Sequence, residues 1–172
     1  MTQEYFKNTI FIFKDEMYRF AKSFLLSSDE AQDVVQELMM KLWQQKDGLS
    51  TYQNIKAYIM RAVKNECLNR LKHEVVKQNY SKVQLYRPEL YKMEVNNLKD
   101  HIIAFISQLP EKQKRVIHLK DVEEYEISEI SEILEMEENA VRINLMRARN
   151  KIKEKISQLM AFENKLPEQP ER

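Results

Sequence analysis

The chain has 172 residues with one glycine, four prolines and 43% hydrophobic residues, so it lacks the turn residues that sheets require and is expected to be almost purely helical. A net charge of +1 excludes a general polyanion binder, and any affinity for nucleic acid must come from local segregation of charge. A single cysteine, Cys67, precludes an internal disulfide and fits a reducing compartment; with no long apolar run and no cleavable leader pattern, a soluble cytoplasmic protein is expected.

In chain order, Phe6, Ile10, Phe13, Met17, Phe20 and Phe24 alternate spacings of four and three, which predicts one long helix with an aromatic seam. Ser27, Ser28 and Asp29 supply cap chemistry for a second helix. It would bury Ala31, Val34 or Val35, Leu38 and Leu42, present Asp33, Gln36, Glu37, Met40 and Gln44 outward, and end at Gly48. An exposed methionine among acids and amides is a hint of a partner surface, against the default of a solvated face.

A third helix starts at Asn54 and would bury Ile55, Ile59, Val63, Cys67 and Leu71. Its opposite stripe is Arg61, Asn65, Asn69 and Lys72, flanked by Lys64 and Arg70. Residues 54–82 hold seven basic residues and two acids, so a positive strip arises in a nearly neutral chain. Asparagine disfavours helix interiors, and two of them one turn apart suit polar recognition better than stability.

Periodicity then fades and the Arg87-Pro88 step interrupts any helix. The expected layout is a first helical domain over 1–75, a flexible linker over 76–97, a second helical domain over 98–162 and a polar tail over 163–172. Extended, the linker could span up to roughly 75 Å, allowing two lobes on separate targets. In the second domain Leu98, Ile102, Phe105 or Ile106 and Leu109 predict a helix, and Pro110 opens the next at its first position.

From Glu126 to Lys155 the pattern is a short helix, a turn at 135–138 and a longer helix from about Asn139, the layout of a helix-turn-helix. Ile127, Ile130 and Leu134 share one face of the first. Val141, Leu145, Ala148, Ile152, Ile156 and Leu159 share one face of the second. Residues 123–138 hold eight glutamates and no basic residue, whereas 139–155 hold six basic residues and one acid. Asn139, Ile143, Met146 and Asn150 fall on the outward face with Arg142 and Arg147 beside them. Arginine can pair bidentately with guanine and apolar groups can meet the thymine methyl, so such a face suits a DNA major groove, against the default of an amphipathic helix whose solvated side is basic.

At this point the chain resembles a sigma factor of the sigma-70 class, of the short extracytoplasmic-function type. The resemblance rests on Asp33-Val-Val-Gln-Glu-Leu-Met-Met-Lys-Leu-Trp43, on Ile55-Lys-Ala-Tyr-Ile-Met-Arg-Ala-Val-Lys-Asn65, and on Leu109 to Ile117 running on through Glu129–Leu134 to Val141–Arg149. It implies a promoter-specificity subunit of bacterial RNA polymerase, built from a three-helix region 2 bundle and a helix-turn-helix region 4 bundle. The first stretch would dock on the clamp helices of the largest polymerase subunit through Asp33, Gln36, Glu37, Met40 and Gln44. The second would meet the minus-ten promoter element through Arg61, Lys64, Asn65, Asn69 and Lys72, Asn65 lying near the pocket for a flipped base. The third would read the minus-thirty-five element through Asn139, Arg142, Ile143, Met146 and Arg147. The resemblance permits an anti-sigma partner.

Three departures from the family pattern stand out. Glu135 occupies the turn where glycine is usual, Glu137 or Glu138 replaces a serine cap, and Asn144 stands where arginine is frequent. Neither a metal nor a cofactor is expected. His73, His101 and His118 match no ligand spacing, and neither a phosphate loop nor a nucleophile-base pattern is present, so the chain is not read as an enzyme. An alternative, a helix-turn-helix regulator binding DNA as a dimer without polymerase, would leave the surfaces over 31–46 and 54–72 without a task.

Overall fold

The computed structural model describes residues 2–25, 27–80 and 98–163; the expected linker from residue 81 onward and the tail beyond residue 163 lie outside the described residues. Those described form α-helices and short helical turns with no strand. They are α1 (Gln3–Thr9), α2 (Lys14–Phe24), α3 (Ser28–Gln44), α4 (Ile55–Tyr80), α5 (Leu98–Ser107), α6 (Glu111–Ile117), α7 (Ile127–Leu134) and α8 (Glu138–Glu163).

The first expected helix is broken. Thr2 caps α1, whose end is marked by Ile10 donating its N–H to the Phe6 carbonyl, and a 3₁₀ turn over Phe11–Phe13 leads into α2. Asn8 and Thr9 are poor helix formers, which helps place the break there. Phe6, Ile10, Met17 and Phe20 are nonetheless buried, so the seam survives as a packing surface although the helix is not continuous.

Ser27 caps α3 by accepting from the Glu30 N–H at 3.3 Å, and both Val34 and Val35 are buried. Gly48 does not end this helix in a left-handed conformation: its φ is −86°. The final carbonyls of α3 are instead met by a last helical bond, Gln45 N–H to Lys41, and a tighter turn bond, Lys46 N–H to Trp43, which removes the need for a positive φ.

Helix α4 is capped by Asn54, whose side chain accepts from the Ala57 N–H at 3.0 Å. It packs on α2, α3 and α7. Ala57, Met60 and Lys64 are therefore buried along with Ile59, Val63 and Cys67, a wider buried surface than the single expected stripe.

In the second half Pro110 is the residue before α6, with extended ψ of 144°, rather than its first helical residue. Helix α6 runs into a wide π-turn over His118–Val122. Glu124 follows at φ 60°, and the bend it makes delivers the buried Tyr125 ahead of α7. Helices α5, α6 and α7 all pack on α8.

The two lobes, α1–α4 and α5–α8, are not held apart. Phe20, Met60, Val63, Leu119, Tyr125 and Ile130 belong to one continuous apolar cluster. The sequence left the relative placement of the lobes open, because periodicity reports what one helix buries and says nothing of which distant helix buries it.

Candidate nucleic-acid interface

The helix-turn-helix is formed by α7 and α8. Ile130 and Ile133 are the fully buried residues of α7, with Ile127 and Leu134 half-buried at the margins. Val141, Leu145, Ala148 and Ile152 form the buried stripe of α8. Glu129 accepts from the Glu126 N–H at 2.9 Å, fixing the start of α7. Glu135 ends it at φ 54°, so the position that glycine would suit is left-handed here and carries a glutamate. Val141 N–H bonds the Glu137 carbonyl at 3.0 Å as α8 begins.

The outward face of α8 is bare. Asn139, Arg142, Ile143, Met146, Arg147 and Asn150 are all exposed, Met146 by 56%. Arg142 is held by Glu138 at 2.7 Å, one turn back. Asn144 is half-buried and donates to the Ala140 carbonyl one turn back at 2.8 Å, which engages one of its amide hydrogens within the helix. Arg149 is drawn to Asp121 at 3.0 Å, tying α8 to the π-turn.

On α3, Asp33, Gln36, Glu37, Met40 and Gln44 are exposed, Met40 by 63%. Glu37 is not idle, because it meets Arg70 of α4 at 2.7 Å. Beside this ridge Trp43 packs edge-on against Phe6 at 5.0 Å between ring centres, with Lys46 over its ring.

The basic strip of α4 is split. Asn65, Asn69 and Lys72 are exposed, whereas Arg61 is half-buried and Lys64 is 7% exposed. The expectation of an open strip holding Lys64 is corrected: α7 lies over that side. Lys64 is paired with Glu135, and Arg61 Nη2 lies 3.7 Å from Glu132 Oε1. Glu132 also accepts from Asn54 Nδ2 at 3.3 Å. Lys64 holds the Glu135 carboxyl below its usual pKa.

Further contacts join the lobes. Arg19 clasps Glu123 with two bonds of 2.7 and 2.6 Å. Burial alone would raise the Glu123 pKa, but Arg19 and His118 together hold it down at about 2. Tyr125 donates to Glu16 at 2.8 Å, and the Lys56 ammonium lies 3.9 Å from the centre of its ring. Arg115 reaches the Ser23 carbonyl and stacks on Phe24; burial pulls its pKa down to about 10, still charged at neutral pH. Sequence reading missed Arg19, Arg115, Glu123, Glu132 and Glu135 as contact residues. The one signal was glutamate in place of the turn glycine at 135.

Comparison with known proteins assigns both halves. Residues 13–75 match Sigma-70 region 2 and residues 100–152 match Sigma-70, region 4. The chain belongs to the sigma-70 family of sigma factors. This sigma factor is 24% identical over 174 residues to the ECF RNA polymerase sigma factor SigW of Bacillus subtilis, covering 91% of each chain. Against the RNA polymerase sigma factor SigV of the same organism the identity is 24% over 140 residues, 78% of this chain and 81% of the relative. Its fold is similar to that of the sigma factor RpoE in a co-crystal structure with the anti-sigma factor NepR from Bartonella quintana. The TM-score is 0.73 and the identity 21%, covering 88% of this chain and 96% of that one. CnrH in complex with the cytosolic domain of CnrY gives a TM-score of 0.64 at 19% identity, covering 91% and 90%. The sigma factor is thus a non-catalytic subunit of the extracytoplasmic-function type, acting in promoter recognition and transcription initiation with RNA polymerase core. None of its described helices is long and apolar enough to cross a membrane.

Proposed function

We propose that three surfaces of this chain divide the work of initiation. The α3 ridge of Asp33, Gln36, Glu37, Met40 and Gln44 docks on the clamp helices of the largest polymerase subunit. Arg61, Lys64, Asn65, Asn69 and Lys72 of α4 hold the minus-ten element as it opens, Asn65 pairing with the edge of an extruded base while the cations take phosphates. Extrusion costs a few kcal/mol of stacking and pairing, which such bonds offset. Asn139, Arg142, Ile143, Met146 and Arg147 of α8 read the minus-thirty-five element as duplex.

The observation that carries this reading is the outward face of α8, basic and partly apolar, with Arg147 exposed and met by no acid among the described residues. Two weak sites held on one polymerase gain from effective concentration, so the subunit need not bind DNA tightly alone. An anti-sigma protein is the further partner proposed, since both solved structures above hold their sigma factors in complexes with other chains. The test is a gel shift on promoter fragments with and without core polymerase. Binding that requires core is expected; tight binding by the free chain would favour a polymerase-independent regulator.

A further inference from the structure

The contact between α4 and α7 sets the acids of one lobe against the cations of the other. Lys64 and Arg61 belong to the strip assigned to DNA, and their partners Glu135 and Glu132 lie one turn apart on the other lobe. A carboxylate on an ammonium or guanidinium fills the same place as a phosphate oxygen. Glu135 holds that place from a left-handed backbone position, where a β-carbon is unfavourable and glycine would be relaxed. Beyond the turn, α8 keeps its own outward face open, so the cover falls on one DNA surface and spares the other.

We propose that Glu132 and Glu135 are an internal phosphate mimic: in the free chain they occupy Arg61 and Lys64, close the second lobe over half of the α4 strip, and must leave before that strip can take a DNA strand. The proposal rests on the reading of α4 given above. Asn65, Asn69 and Lys72 stay exposed beside the closed half, so an incoming strand has a first foothold and then competes with the glutamates for Arg61 and Lys64. The competition makes strand capture by the free chain weak, while duplex binding through α8 is untouched.

The test uses the full chain and a fluorescent single strand of roughly 20 nucleotides of mixed sequence at low salt. Glu132→Gln with Glu135→Gln should bind it about three-fold or more tighter than the parent. A charge-matched control, Glu4→Gln with Asp29→Asn, lies on exposed positions away from the contact and should gain less. In a second arm, Asn54→Cys with Glu132→Cys is bridged by a short bismaleimide; Cys67 is buried with its thiol pushed up to about 12 and does not compete. The bridged chain, assembled with core, should fail to open promoters that the unbridged variant opens. Equal strand affinity for the glutamine pair and its control, or normal opening by the bridged chain, would overturn the mimic. Asn65→Ala and Lys72→Ala, both outside the closed contact, examine the α4 reading separately. If these reduce strand opening while the glutamate variants change nothing, the mimic is wrong and the reading of α4 stands; if they too change nothing, the reading itself is wrong.

Discussion

Arg147 and Lys64 are both basic residues on proposed DNA surfaces, and their surroundings make them opposite cases. Arg147 is exposed, so truncation removes no internal bond that the described residues show. Arg147→Ala should leave the melting temperature unchanged and cost about 1 to 3 kcal/mol of discrimination at promoters carrying the upstream element. Run-off transcription on matched templates with and without that element measures it. Lys64 is buried beside Glu135, an arrangement in which desolvation offsets much of the ion-pair attraction. Lys64→Met keeps the volume and removes the buried charge, while Glu135 can return to water. Stability by urea titration should therefore move by no more than about 1 kcal/mol in either direction. Strand opening with core should fall all the same, because a phosphate contact is lost. A large loss of stability with normal opening would show that Lys64 serves the fold alone.

At the scale of the helix, the ridge on α3 needs its residues weighed against their internal partners. Glu37 binds Arg70 of α4, so Glu37→Lys would both alter the docking surface and set two cations against each other. Met40 has no such duty and is 63% exposed. Met40→Glu should weaken co-purification with core polymerase several-fold with helicity unchanged, since apolar anchors carry a large share of interface energy. The stripes of α3 and α8 were legible in the sequence because each helix buries one face, and 3.6-residue spacing reports one face directly. Helix α4 was only half legible. Packed on three neighbours, it buries Lys64 together with Met60, and a reading that assigns one side to the core and the other to water misplaces such a residue. The break near Ile10 was obscured for a related reason: only the weak helix formers Asn8 and Thr9 mark it, with neither glycine nor proline, and the apolar spacing carries on across the 3₁₀ turn.

For the molecule as a whole, the contact between lobes was beyond sequence reasoning, since Arg19 and Glu123 are 104 positions apart and no local pattern links them. That pair also gives the lobe contact a dependence on pH. The Glu123 carboxyl is nearly inaccessible and is met by Arg19 from α2 and by His118 from its own π-turn, with the neutral Tyr125 hydroxyl close by. Its pKa in the folded chain, about 2, lies below the ordinary 4.5, so the folded state binds fewer protons than the unfolded state between those values. The stabilisation is therefore complete above about pH 4.5 and is lost as pH falls toward 2. The Glu135 carboxyl, held down by Lys64, shifts in the same direction. Glu123→Gln should lower stability by on the order of 2 kcal/mol at pH 7, with the gap to the parent closing as pH drops through that window. Urea titrations of both chains at pH 7, 5, 4 and 3 give the gap directly, and a gap independent of pH would mean that the Glu123 charge contributes nothing to holding the lobes together. Small-angle X-ray scattering on the same samples ties the loss to the contact itself: the radius of gyration should rise in acid before helicity falls, and earlier in Glu123→Gln than in the parent.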